Sequence, residues 1–205
     1  MASQLATTED AESVVETITL AFHDDPVWSW AFPDPGRREQ QYRVWWAMFV
    51  AGSTANQALW IADSAASAAA VWVPPGEDEL LVADRERLGP VLEDLLGGQQ
   101  AERVLELNQR FEDHHPADRP FHYLSLLGTH PAHRGRGLGM DLLADRLEQL
   151  DSLQEPSLLE STNPVNHERY ERLGYEHIDQ WNAPDSGPPV AVMWREPGSP
   201  VGPDR

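Results

Sequence analysis

Cysteine is absent from this chain of 205 residues. Disulfides, thiolate metal sites and a cysteine acyl-enzyme are thereby excluded. Long apolar runs are also missing. The most apolar stretch, residues 65–73, falls far short of the roughly 20 residues a membrane span needs. The opening residues Met1-Ala2-Ser3-Gln4 lack the basic-then-apolar profile of a signal peptide, so a cytoplasmic protein is expected. Positive charge is scarce: 15 Lys and Arg face 34 Asp and Glu, for a net charge of −19. Such a surface repels phosphate backbones and anionic lipid, so neither nucleic acid nor membrane is expected as a partner. It would attract a cationic small molecule such as an amine, although the same charge also serves solubility alone.

Apolar mass is plentiful. Hydrophobic residues make up 40% and eight are Trp, enough for one compact domain over residues 1–196 with a flexible Pro- and Gly-rich tail at 197–205. Ala11, Val14, Val15, Ile18, Ala21 and Phe22 recur at helical spacing, with Thr7 or Thr8 as cap and Pro26 as breaker. Residues 38–50 read as a second helix. Residues 59–62 and 69–73 read as a hairpin. Residues 77–114 read as two or three short helices punctuated by Gly89-Pro90 and Gly97-Gly98. Residues 121–127 are the best-marked strand. A glycine-rich turn follows, then a helix carrying Leu138, Leu142, Leu143, Leu147 and Leu150. A strand at 157–161, a short helix at 164–173 and strands at 175–182 and 190–195 close the chain. The order is that of an α/β (α+β) fold with a parallel pair in a mixed sheet.

Chemistry concentrates in His133-Arg134-Gly135-Arg136-Gly137-Leu138-Gly139-Met140. Glycine lets backbone approach a ligand, and a helix N-terminus leaves N–H groups free. With the helix dipole these make an anion site suited to a pyrophosphate, to which Arg134 and Arg136 would add charge-assisted bonds. A nucleotide-triphosphate loop would need Gly-Lys-Ser/Thr where Leu138-Gly139-Met140 stands, and a dinucleotide fingerprint would need Gly at Met140. A tight strand-to-helix turn without ligand is the remaining alternative.

The segment Arg134-x-x-Gly137-x-Gly139, behind the strand end Leu126-Leu127-Gly128-Thr129, resembles the acyl-CoA signature of the GNAT superfamily of N-acetyltransferases. Further on, Asn163-Pro164-Val165-Asn166-His167-Glu168-Arg169-Tyr170-Glu171-Arg172-Leu173-Gly174-Tyr175 resembles that superfamily's Asn…Tyr-x-x-x-Gly-aromatic segment. Weaker likenesses at residues 21–26, 70–75, 115–116 and 159–161 are similar to the puromycin N-acetyltransferase group. Tyr175 stands where that family usually has Phe, and Thr129 where it often has Val.

The resemblance implies a mixed twisted sheet of about six or seven strands with a splayed parallel central pair, flanked by helices. It implies acetyl-CoA as co-substrate and a primary amine as acceptor, joined by direct attack in a ternary complex. Backbone groups of Leu127 and Thr129 would pair with the pantetheine amides, and the N–H of Leu127 or Gly128 would polarise the thioester carbonyl. Residues Arg134, Gly135, Arg136, Gly137, Leu138, Gly139 and Met140 would hold the pyrophosphate. Asn163 and Asn166 would complete the cofactor set. Tyr170 is the expected general acid, its alternative being a core tyrosine. Glu160, in an apolar strand, is the expected base; its alternative is a carboxylate satisfied by local hydrogen bonds. Asp24, Asp25 and His122 are expected on the substrate side, with Glu160. His114 and His115 also come near it, without the spacing of a zinc site. Trp28, Trp30, Trp45 and Trp46 read as an aromatic acceptor pocket or as core. No metal is expected, and the chain would be a monomer or homodimer. The reading of another class is a non-catalytic acyl-CoA-binding or regulatory module.

Overall fold

The computed structural model describes residues 3–199. In chain order the elements are β1 (Gln4–Leu5), α1 (Ala11–Ala21), α2 (Pro26–Ala31), α3 (Arg38–Ala55), β2 (Leu59–Ile61), β3 (Ala68–Val73), α4 (Val82–Leu96) and α5 (Gly98–Asp113). Then come β4 (His122–Thr129), α6 (Leu138–Leu153), β5 (Ser157–Ser161), α7 (His167–Arg172), β6 (Glu176–Asn182) and β7 (Pro189–Arg195). The strands form one mixed sheet of seven in the order β1-β2-β3-β4-β5-β7-β6. All neighbours are antiparallel except β4 and β5. No helix among the described residues is long and apolar enough to cross a membrane.

Apolar spacing decides which face each helix covers. Val14 and Ile18 of α1, Trp45, Trp46 and Phe49 of α3 and Val104 and Leu107 of α5 form one core with Val71 and Leu126 of the sheet. Leu142, Leu143, Leu147 and Leu150 of α6 form the other, against Trp72, Leu124, Leu159 and Met193. Arg195, nearly all buried, ties β7 to α6 through two bonds from its guanidinium to Asp151, of 2.6 and 2.8 Å. The Gly198 N–H donates to the same carboxylate, so residues 197–199 are held; residues 200–205 of the expected tail lie outside the described residues.

Local readings need four corrections. Asp10, not Thr7 or Thr8, precedes α1. Its carboxylate accepts from the Thr7 N–H and hydroxyl, folding residues 7–10 into a turn first. Pro26 does more than end α1: it starts α2, where a fixed φ and a missing N–H are no handicap. Pro90 lies inside α4, because Leu88, Val91, Leu92 and Leu95 pack on the core and tertiary burial outweighs the local penalty of about 3 kcal/mol. Strand β1 was not foreseen; two residues give no periodicity to read.

One irregularity sets up the site. Trp72 pairs with Leu124 and Val71 with Leu126, so Ser125 is an extra residue, a bulge in β4. Before it, the His122 N–H donates to Pro156 O of the β5 side; beyond it, the His130 N–H donates to Ser67 O of the β3 side. The bulge therefore reverses which residues face which neighbour. By strand alternation, Leu127 and Thr129 turn their N–H and C=O toward β5. Yet β5 stops pairing at Leu124↔Leu159. The two parallel strands part there, and β4 presents unpaired backbone to the gap.

Candidate active site

Two cavities meet at this gap. The first, of about 530 Å³, runs along the end of β4 and the start of α6, lined by Leu127, Gly128, Thr129, Arg134, Gly135, Gly137, Leu138, Gly139 and Met140. Its floor is a helix N-terminus. Asp141 N is the first amide to bond back into α6, to Gly137 O at 2.9 Å, so the amides of residues 138–140 have no intrahelical partner. Gly137 has φ +80°, and an added Cβ at Gly139 would stand 2.7 Å from Thr129 Oγ1. The chain thus needs glycine at 137 for its turn and at 139 for close packing of α6 on β4. Arg169 adds a further cation. Free N–H groups, a helix dipole and two arginines fit a pyrophosphate, and unpaired β4 backbone fits an extended chain of amides.

The second cavity, of about 330 Å³, lies on the far side of the gap. Both cavities are bordered by Phe22, Asp25, Leu127, Asn163, Asn166 and Tyr170. Tyr170 is nearly buried, and its hydroxyl makes no hydrogen bond to a described residue. Burial, helped by the charge of Asp25, pushes its phenol up to about 12. It is a proton-bearing group at every physiological pH.

Glu160 projects from β5 with a fully buried side chain. Three donors hold it, all at 3.2 Å: His115 Nε2 and the Tyr123 hydroxyl on one oxygen, Trp181 Nε1 on the other. Burial raises its carboxyl, and these bonds oppose the rise. Tyr123 is raised well above the usual phenol range, first by burial and then by the charge of Glu160. Glu79, from the loop before α4, lines the same cavity. Burial brings its carboxyl up to about 7 against the opposing pull of Ser125 and His115, while Glu160 and Glu112 push it upward.

The structure brings most of the expected residues together and sets some apart. Leu127, Thr129, Asn163, Asn166 and Tyr170 meet at the gap, and Glu160 faces the second cavity. The Gly128 N–H faces β3, which leaves Leu127 as the amide donor at the gap. Arg136 donates to His133 Nδ1 at 3.1 Å and does not line the groove. Arg134 donates to Ala21 O. Asp24 is exposed beside His23 and opens on the first cavity rather than the second. His122 precedes the bulge, so it shares the α6 face with Leu124. There it bonds Glu155 at 2.6 Å and lines neither cavity. Of the four tryptophans, Trp28 and Trp46 line the second cavity, whereas Trp30 and Trp45 do not. Glu79, Tyr123 and Trp181 were missed: a loop carboxylate has no motif, and two aromatics in strands look like core.

Asp25 proves to be a brace. One carboxylate oxygen accepts from the Val27 and Trp28 amides, and the other accepts from Thr162 Oγ1 at 2.8 Å. It thereby pins the turn before α2 to the end of β5, fixing the width of the gap. Burial pushes it up from 3.8 to about 6. A carboxyl raised by folding contributes stability that is full below its unfolded pKa and lost as pH rises through its folded one. Stability relative to Asp25→Asn should therefore fall as pH goes from about 4 to about 6, by an amount on the order of 3 kcal/mol. Paired thermal melts at pH 4.5 and 6.5 check this; parallel curves for the two proteins would remove Asp25 as the titrating group.

No family model matches the chain. Solved structures do resemble it over almost its full length. A Corynebacterium glutamicum protein, "histone acetyltransferase HPA2 and related acetyltransferase", is 24% identical with a TM-score of 0.71, over 98% of each chain. The Drosophila melanogaster polyamine N-acetyltransferase, which forms N-acetylagmatine, is 16% identical over 95% of this chain and 98% of its own, with a TM-score of 0.66. Arylalkylamine N-acetyltransferase 2 of Aedes aegypti is 12% identical over 95% and 97%, with a TM-score of 0.60. At these identities the likeness is one of fold. The seven-stranded mixed sheet with a single parallel pair, flanked by helices, is the GNAT fold of these acetyltransferases.

Proposed function

We propose that residues 3–196 act as one catalytic unit, an acetyl-CoA-dependent N-acetyltransferase acting on a primary amine by direct transfer. The observation that carries this is the meeting of an anion-binding groove and an acid-lined cavity at one gap, with Leu127 and Tyr170 on its border. Within that class, the segments at residues 21–26, 70–75 and 159–161 link the chain to the puromycin N-acetyltransferase group.

Acetyl-CoA would supply an acyl group activated as a thioester. Residues 134, 135, 137–140 and 169 would hold its phosphates, and Leu127 and Thr129 its amide chain. The Leu127 N–H, held by the bulge, donates to the acyl oxygen as charge grows there. The Tyr170 hydroxyl offers a proton at the sulfur. The Glu79–Glu160 pair, with His115 bonded to Glu160, takes the proton from the incoming ammonium group. All 15 Lys and Arg positions are Arg, so no lysine of the enzyme competes for the acetyl group.

The test is release of CoA thiol from acetyl-CoA on adding a primary amine, followed from pH 5 to 9. kcat/KM should rise with an acidic limb near pH 7, where Glu79 ionises. Glu79→Gln should remove that limb. Glu160→Gln removes a negative charge that raises Glu79, so its smaller residual activity should show a limb moved to lower pH. No thiol release with any amine would overturn the reading.

A further inference from the structure

The second cavity has a polarity along its length. Glu79, Arg85, Glu112, His115 and Tyr123 also line an outer cleft of about 440 Å³ that opens from it, and so mark its mouth. Leu127 and Tyr170 mark the end that meets the cofactor groove. One wall comes from the helical layer: Phe22 after α1, Trp28 of α2, Trp46 and Phe49 of α3, Leu88 of α4 and Phe111 of α5.

These rings are fixed before any ligand arrives. Trp28 stacks on Phe111 at 6° and 6.0 Å, stands edge-on to Trp46 at 79° and 4.7 Å, and Phe22 leans on Trp46 at 5.4 Å. A preformed aromatic wall binds a ring at small ordering cost and offers nothing to a hydrated chain.

Charge is distributed just as unevenly. Asp25 stands beside Trp28, and both of its oxygens are engaged by Val27, Trp28 and Thr162. The remaining carboxylates, Glu79, Glu112 and Glu160, are close enough to act on one another, and Glu160 follows Leu159, where β4 and β5 part. Arg85, the cation beside them, is paired with Asp78 at 2.8 Å. The cavity therefore offers one anionic locus and one aromatic chamber. A molecule with a cation at each end would place its second charge against Trp and Phe with no free anion to meet it.

Taking the acetyltransferase reading as its basis, we infer that the acceptor is an arylalkylamine. Its ring lies against Phe22, Trp28 and Phe111, which Trp46 and Phe49 back, and its single ammonium group on the Glu160 side, next to the point where β4 and β5 part. The fold neighbours include a polyamine and an arylalkylamine enzyme; the chamber of this chain has the chemistry for the second kind.

The experiment has two arms. Calorimetry with acetyl-CoA reads the groove, and kcat/KM for phenethylamine, agmatine, spermidine and a lysine-containing peptide reads the chamber. Phenethylamine should exceed the dication agmatine and the trication spermidine by about 100-fold or more, since an unpaired charge in an apolar site costs several kcal/mol. Phe111→Ala should raise KM for phenethylamine by roughly 10-fold. Acetyl-CoA affinity should hold, because Phe111 does not line the groove. If that variant fails to fold, Leu88→Trp, which fills the chamber, should lose phenethylamine turnover with the same cofactor affinity. Acetyl-CoA binding with transfer only to agmatine, spermidine or the peptide, or to none of the four, overturns the arylalkylamine inference alone. No acetyl-CoA binding overturns it together with the acetyltransferase reading.

Discussion

Tyr170→Phe should lower kcat about 100-fold and leave acetyl-CoA affinity within a few-fold of the parent. A positioned general acid contributes about 10²–10⁴-fold. The low end applies here because the phenol sits near 12, a weaker acid than a thiol of about 8.5. Its proton is therefore given late, and much of its contribution is a hydrogen bond to sulfur as negative charge builds. Binding loses little, since one hydroxyl contact is worth about 0.5–1.5 kcal/mol. Folding should persist: the ring packs edge-on to Tyr175 at 6.2 Å and its hydroxyl bonds no described residue. Single-turnover kinetics beside calorimetry separate the outcomes. Normal kcat with weakened affinity would make Tyr170 a cofactor contact. Normal values of both would make it a packing residue and leave the proton to solvent.

The cofactor half of the site was far more legible in the sequence than the acceptor half, for physical reasons. A phosphate turn is built from backbone conformation, and glycine alone takes φ +80° at Gly137 without strain and fits at Gly139 against Thr129. The requirement is local, so it prints as a motif. The acceptor half is assembled from residues distant in sequence. Glu79 comes from a loop, His115 from the end of α5, Tyr123 from β4, Glu160 from β5 and Trp181 from β6. None has a spacing rule to announce it. His122 shows the same limit within one strand. Alternation alone does not say which face of β4 meets the cavity, and the Ser125 bulge changes the answer midway. The sheet itself was legible nearly throughout, because runs such as residues 69–73 and 190–195 are short, apolar and punctuated by Pro74 and Pro189. The helices between Glu77 and His114 were less so: Pro90 argued for a break that core packing overrides.

Charge adds a point that composition alone does not. The chain carries −19 overall, yet the groove is bordered by Arg134 and Arg169 while the acceptor cavity holds Glu79, Glu112 and Glu160. An anionic cofactor and a cationic acceptor would thus be drawn to opposite sides of one gap. The overall excess of acid favours the acceptor's approach, and the cofactor depends on Arg134, Arg169 and the free amides of residues 138–140, which offset Asp24 and Asp25 on the same border. That balance is narrow, and a further carboxylate in the turn tips it against the cofactor.

Gly137→Asp should accordingly abolish acetyl-CoA binding, by at least about 100-fold, while the protein stays folded. The residue lines the groove at the start of α6, where the free amides converge. A carboxylate there faces the phosphates and stands near Asp141, whose oxygens lie 3.7 Å from the built Cβ. Juxtaposed like charges cost several kcal/mol, and each 1.4 kcal/mol is about tenfold in affinity. The substitution also forces a non-glycine residue to positive φ, a strain of roughly 1–2 kcal/mol that Asp tolerates better than most. Gly137→Asn isolates that strain, since it keeps the position, the left-handed backbone and nearly the side-chain shape and removes the charge. The two variants should melt at similar temperatures, yet Gly137→Asp should bind acetyl-CoA far more weakly than Gly137→Asn by calorimetry. Equal, parent-like affinity in both folded proteins would mean that the glycine turn is a strand-to-helix connection and that the cofactor, if there is one, binds elsewhere.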